Sequence, residues 1–166
     1  LESIQTSLEL TGDESDLMQI KQELSDAGYI KKYSVSGKGG QQRKAQPLHF
    51  VSSDGFDIYV GKNNYQNDML TFDMASGNDW WFHSKHIPGS HVILKTNGRE
   101  IPDRAFEEAA SLAAYYSKAR NSDKVEIDYT LKKNIKKPNK AKPGFVVYYT
   151  NYSIVAKPCI DSLRMI

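Results

Sequence analysis

The 166 residues predict an α+β domain: a mostly antiparallel sheet with one long and one short helix, preceded by a small helical segment. Three observations carry this expectation. Short β-rich runs are punctuated by local turn signals at Asp54-Gly55, Pro88-Gly89, Asn97-Gly98 and Thr150-Asn151. Pro102 to Arg120 has the spacing of one amphipathic helix. Leu1 to Ala27 is helical in pattern, and a stretch rich in Gly, Ser and Gln separates it from everything that follows.

Leu1, Ile4 and Leu8 have helical spacing, Gly12 ends that helix, and Asp13 or Ser15 caps the next. Leu17, Ile20, Leu24 and Ala27 form its apolar stripe, closed by Gly28. This segment (1–30) reads either as the base of a helical hairpin continuing upstream or as a small cap on the domain. Residues 31–46 (KKYSVSGKGGQQRKAQ) read as a basic flexible linker. The compact domain, 47–166, opens with LHFVSS and FDIYVG around Asp54-Gly55. A two-residue turn there sets Val51 opposite Ile58 and Phe50 opposite Tyr59. Asn63 or Asn64 caps a short helix running to about Ala75. Asp79 to Phe82 and Ser90 to Lys95 are expected strands. Pro102 starts the long helix, whose Phe106, Ala109, Leu112, Ala113 and Tyr116 share one side, with Lys118 and Arg120 in its last turn. KVEIDYTL alternates strictly, as a half-buried strand does. FVVYY and YSIVAK form an expected final hairpin.

The totals exclude several classes. No apolar run approaches membrane-spanning length, so no membrane insertion is expected. No basic-then-apolar leader is present, and the start at Leu1, helical in character, reads as a cut from a longer protein. Cys159 stands alone, which removes internal disulfides and thiolate-rich zinc sites. The net charge of +2 conceals an asymmetry. Lys21 alone opposes Glu2, Glu9, Asp13, Glu14, Asp16, Glu23 and Asp26, whereas the stretch from Lys118 to Lys142 is strongly basic.

Two stretches are candidates for function. DWWFHSKHIPGSHV holds Trp80 and Trp81, Phe82, and His83, His86 and His91, with Asp79 as a further ligand type. A metal site is disfavoured. Residues three apart on a strand face opposite ways, so His83 and His86 cannot meet on one ion. Two of the three aromatics are expected in the core, and one tryptophan is left as a platform for base stacking. His91 reads as a buried histidine satisfied by backbone. Ser84, Ser90 and Cys159 lie in no nucleophile motif, so no enzyme and no cofactor are expected. LKKNIKKPNKAKPG carries Lys132, Lys133, Lys136, Lys137, Lys140 and Lys142 without an acid, on a loop made projecting by Pro138, Pro143 and Gly144. An uncompensated cluster repels itself, so an anionic partner accounts for it better than solvent does. Phosphate backbone is the obvious polyanion, with anionic membrane or sulfated glycan satisfying the same physics.

DGFDIYVGKNNYQND, DWWFHSKHIPGSHV, EEAASLAAYYSKAR and KKNIKKPNKAKPGFVVY, in that order, resemble the NFACT RNA-binding domain over about Phe50 to Pro158. The acidic helices resemble the end of the coiled-coil region that precedes this domain in full-length members. The resemblance implies an RNA- or ribosome-contacting module of a ribosome-associated quality-control factor. Full-length members bind the obstructed large ribosomal subunit and tRNA and support alanine tailing of stalled nascent chains. It implies a cytoplasmic protein, RNA contact through the lysine loop with Trp81, His83 and His91, and no catalytic residue. It also implies a motif role, structural or RNA-facing, for Asn64, Gln66, Asn67, Asp68, Asp79, Trp80, Phe82, Pro88, Gly89 and Ser90. Members also carry a fibronectin/fibrinogen-binding label, which implies the alternative of an adhesin displayed on the bacterial surface by an unconventional route.

Overall fold

The computed structural model describes residues 2–31 and 45–166; most of the expected linker lies outside them. Helices α1 (Glu2–Glu9) and α2 (Glu14–Asp26) come first. Strands β1 (Leu48–Val51), β2 (Asp57–Val60), β3 (Trp80–Ser84), β4 (Val92–Leu94), β5 (Val125–Leu131), β6 (Tyr152–Ala156) and β7 (Arg164–Met165) form one sheet in the order β6-β5-β3-β4-β2-β1-β7. Every pairing is antiparallel, as local turns favour. Between strands lie α3 (Asn64–Asp68), which runs on as a π-helical turn Met69–Met74, and the long helix α4 (Asp103–Tyr115).

Both faces of the sheet are covered. On one, the alanines of α4 allow close approach to Phe50, Ile58, Phe82, Leu94 and Ile127. On the other, Leu70 of the π-turn and Ile135 pack against Trp81 and Ile93. Strand alternation assigns each side chain to its face, so Phe82 and Trp81, adjacent in sequence, belong to different cores.

The β1–β2 register differs from the expected one by one residue. Phe50 pairs with Ile58 and His49 with Tyr59. The loop contains three residues, not two: Ser52 N–H bonds Phe56 O, and Gly55 N–H bonds Ser52 O with Gly55 at φ +84°. That extra residue sends Phe50 to the α4 face and His49 to the other, where its ring stacks on Tyr59.

Helix α4 stops at Tyr115, short of Arg120. The chain beyond is recruited elsewhere: Ser117 bridges to Gly89, Tyr116 O accepts from Ser90 N–H, and Lys118 N–H bonds Pro88 O. Lys118 and Arg120 therefore lie outside the last helical turn, and Pro102 is the residue before the helix. Strand β5 is less one-sided than its alternation suggests, because Asp128 and Thr130 are also buried. The expected final hairpin does not form. Strand β6 pairs with β5, while residues 145–149 cross the opposite face and make only a bridge from Val147 to Lys136. Val146 and Tyr148 pack there against the Trp81 cluster, and Tyr148 donates to Asp128 at 2.6 Å.

Helices α1 and α2 pack against α3. The inward side of α2 is Asp16, Ile20 and Glu23, a stripe rotated from the expected Leu17–Leu24 line. Polar groups around α3 make that rotation favourable. Lys62 Nζ lies 2.7 Å from Asp16 Oδ2, and Gln19 accepts from both Asn63 and Gln66. A buried acid needs such partners, and here it has them.

Candidate nucleic-acid interface

Strand β3 delivers Trp81 and His83 to the face opposite α4, and the chain entering β4 brings His91 beside them. The rings of His83 and His91 are 5.5 Å apart, edge to face. Burial pushes His83 down to about 4, against the opposing pull of a Gly89 backbone bond and the Asp128 charge. His91, 2% exposed, is driven well below its ordinary value by burial and by its histidine neighbour. Both are neutral imidazoles at pH 7, able to hydrogen bond and to pack but not to attract phosphate. His91 Nδ1 pairs with the Thr71 hydroxyl at 2.9 Å, and backbone at Gly144 and Asn67 also hydrogen bonds to the ring, as expected of a buried histidine. His86 sits in the following turn at φ +59°, exposed. Among the described residues no three His, Cys, Asp or Glu side chains are grouped to hold a metal ion.

Trp81 is 1% exposed, which corrects its expected role as a contact with RNA bases. It is wedged between His91, Tyr148 and the stacked ring of His83. Trp80 is the half-buried one, on the opposite face, edge-on to Phe106 at 5.0 Å. Phe82 is fully buried and stacks on Tyr129. Asp79 ties the start of β3 to the end of β4. Its carboxylate accepts from Lys95 Nζ at 2.5 Å, Thr96 N–H at 3.0 Å and Ser76 N–H at 2.8 Å. Burial opposes ionisation there, but these donors outweigh it and hold the carboxyl below the usual range. Gly89 is required by close approach: a Cβ would lie 2.6 Å from Ser84 Oγ and 3.1 Å from Ser117 Cβ. Ser90 is buried beside it, and Pro88 O receives Lys118.

The lysine segment does not project. It lies along the histidine-bearing face, anchored by buried Ile135, by the Lys136–Val147 bridge and by Asp68. Asp68 binds Lys137 Nζ at 3.0 Å and accepts from Gly144 N–H at 2.9 Å. Lys137 is thus committed to the fold. Lys132, Lys133, Lys136, Lys140 and Lys142 make no ion pair among the described residues. Anchoring converts a self-repelling run into a fixed array of positive charge.

The NNYQND stretch links the layers. Asn63 caps α3 through Gln66 N–H, Asn67 Oδ1 accepts from His91 N–H, and Asn64 Nδ2 donates to Glu23 Oε1 at 2.5 Å. Gln66, 1% exposed, donates to Asp16 and Gln19. These are interior tethers and not a free surface. Where α2, the histidines and the end of the lysine segment meet, a cleft of about 570 Å³ opens. Glu23, Tyr29, Tyr65 and Phe145 line it with His83 and His91, and none of these four was singled out from the sequence. One signal was present: Asp16 and Glu23 stand seven apart with Ile20 between, acids at the spacing of a packed stripe.

A small antiparallel α+β fold carrying an anchored lysine array defines a module suited to polyanions. Residues 46–150 match the family described as the NFACT protein RNA binding domain, and the chain belongs to that family. It is 40% identical over 149 residues to the Rqc2 homolog RqcH of Bacillus subtilis, covering 89% of this chain and 26% of that protein. It is 40% identical over 167 residues to the Rqc2 homolog RqcH of Streptococcus suis, covering 99% and 29%. The chain thus spans little more than a quarter of these relatives. A more distant likeness, 33% over 73 residues, links 43% of the chain to 7% of the human ribosome quality control complex subunit NEMF. The solved C-terminal part of the fibronectin/fibrinogen-binding protein from Streptococcus suis superposes with a TM-score of 0.84 at 39% identity, over 97% of this chain and 63% of that one.

Proposed function

We propose that this chain is the RNA-contacting module of a ribosome quality-control factor, and that it acts by binding and not by catalysis. The observation that carries the reading is the lysine array, five side chains without carboxylate partners among the described residues, set on a segment anchored through Ile135, the Lys136–Val147 bridge and Asp68. Lysine contributes point charges to phosphates and reads little sequence. The human relative's name places that protein in ribosome quality control, so the ribosome is the partner class to test, with the large subunit and tRNA as the proposed RNA surfaces and the cytoplasm as the proposed compartment. No helix among the described residues is long and apolar enough to cross a membrane.

The test is a salt titration of binding to tRNA and to large ribosomal subunits. Affinity should fall log-linearly with salt, with a slope of about 0.7–0.9 per phosphate contacted. Reversing Lys132, Lys133, Lys136 and Lys140 to Glu should weaken binding by about 100-fold or more and flatten the slope. Lys137 is left intact because it pairs with Asp68. Salt-indifferent binding, or an unaltered quadruple variant, overturns the reading. A second reading, fibronectin or fibrinogen binding, rests on edge strand β6, whose Tyr152 and Val155 are 60% and 61% exposed and offer a surface for strand addition. Immobilised fibronectin in the same titration decides it, since salt-tolerant capture there without RNA binding favours the adhesin.

A further inference from the structure

We propose that the cleft between α2 and the histidine face binds one unpaired nucleobase, with guanine preferred. This deepens the RNA-binding reading and rests on it.

The cleft's volume of about 570 Å³ falls within the ~300–1,000 Å³ of small-ligand sites. Its chemistry is set by Glu23, which is 7% exposed. One carboxylate oxygen accepts from Asn64 Nδ2, and the other, Oε2, is buried without a hydrogen-bond partner among the described residues. Buried polar atoms are normally paired, and an unmet one costs about 1–3 kcal/mol. Burial raises the Glu23 carboxyl above its usual value, although the Asn64 bond opposes this. N–H donors placed against these oxygens would favour the carboxylate form that burial opposes, so the fitting ligand presents N–H groups. Oε2 has no partner among the described residues, and Oε1 retains a lone pair beside its Asn64 bond. Guanine carries two adjacent donors, N1–H and the 2-amino group, that match such a pair of oxygens. Adenine and cytosine present a single exocyclic amine on that edge, and uracil a single imide N–H.

The walls fit a flat ring. Tyr29 and Phe145 are 53% and 56% exposed and line the cleft, as the aromatic platforms for unstacked bases do. His83 and His91 are neutral and bring no charge to the interior, whereas Lys142 also lines the cleft and is exposed. A base would enter with its phosphate held towards the lysine array, so sequence preference and backbone affinity come from different residues.

Mononucleotides test the site directly. GMP, AMP, CMP and UMP are titrated into the chain while the His83 and His91 ring resonances are followed by NMR. GMP should shift them and bind about tenfold tighter than the other three, with IMP, which lacks the 2-amino group, falling between. Glu23→Gln should erase the GMP preference. Tyr29→Ala, at an exposed position where folding is not at stake, should weaken GMP at least about fivefold. The lysine-reversed variant should keep the GMP preference while losing its salt-dependent binding to tRNA. Equal responses to all four nucleotides, or a small ammonium salt shifting the same resonances as strongly as GMP, overturn the base site and leave the RNA reading standing. Absence of all tRNA and subunit binding by the unaltered chain overturns that reading and this one with it.

Discussion

One sheet presents two faces of opposite character, although the strands that build them are the same. The α4 face is a conventional apolar core of Phe50, Ile58, Phe82, Leu94 and Ile127 under an alanine-rich helix. The opposite face buries Trp81 and Ile93 too, but among them lie His83, His91, Thr71, Asp128 and Thr130. The first face needs only shape. The second must also accommodate polar atoms, not all of which find partners among the described residues, and its coverings come from distant parts of the chain: the π-turn after α3, the lysine segment and, through α3, helix α2. Function gathers on the second face because partly met polar groups and anchored charge can engage a partner, while a closed apolar core cannot.

The sharpest way to break this contrast is to cut each core in turn. Phe82→Ala should cost about 4 kcal/mol in urea unfolding, the loss of a fully buried ring. Trp81→Phe should cost under about 2 kcal/mol, because the buried indole N–H it removes has no partner among the described residues. A loss well above about 2 kcal/mol at Trp81 would mean that the second face is packed around the full indole as tightly as the first is around its rings.

Asp16→Ala should cost about 3 kcal/mol, since it strands Lys62 beneath α2. A loss below about 1 kcal/mol would show that α1 and α2 contribute little to covering the second face.

Acid should attack the histidine face first. His83 and His91 have folded values below the unfolded 6.5, so the unfolded chain takes up their protons first. The stability they contribute is fully present above pH 6.5; that of His83 is lost as pH falls from there towards about 4, and that of His91 declines over the same descent. Each histidine contributes a slope of about 1.4 kcal/mol per pH unit in that window. His83→Phe should remove one such slope in unfolding measured between pH 4.5 and 6.5. Gly55→Ala should have the smallest effect, about 1 kcal/mol, from forcing a side chain into φ +84° in an open loop.

Much of the first face was legible in the sequence. The alternation of Val125, Ile127 and Tyr129 and the helical spacing of Phe106, Ala109 and Ala113 report directly on an apolar core. The second face was legible only in parts. His91 was recognisable as buried, and the lysines as a binding feature. Their anchoring was not, because Asp68 lies 69 residues from Lys137. FVVYY has the local look of a strand, yet it serves as cover over Trp81, since β6 finds its partner in β5.

By itself the sequence determined the fold class, the start and apolar side of the long helix, the turns at Asp54-Gly55 and Asn97-Gly98, and the family. Each of these is written in local periodicity, turn chemistry and ordered motifs, which the chain carries wherever it folds. Gly89, by contrast, is drawn into a bridge with Ser117, and Thr150-Asn151 joins no hairpin. Only the tertiary structure decided the β1–β2 register, which tryptophan is buried, which lysine is spent on Asp68, and that Glu23 lines one cleft with the histidines. Those outcomes depend on which polar group finds a partner across tens of residues, and local pattern does not encode partners. A carboxylate on α2 becomes a candidate ligand contact when Asn64 takes one of its oxygens and the surrounding fold buries the other.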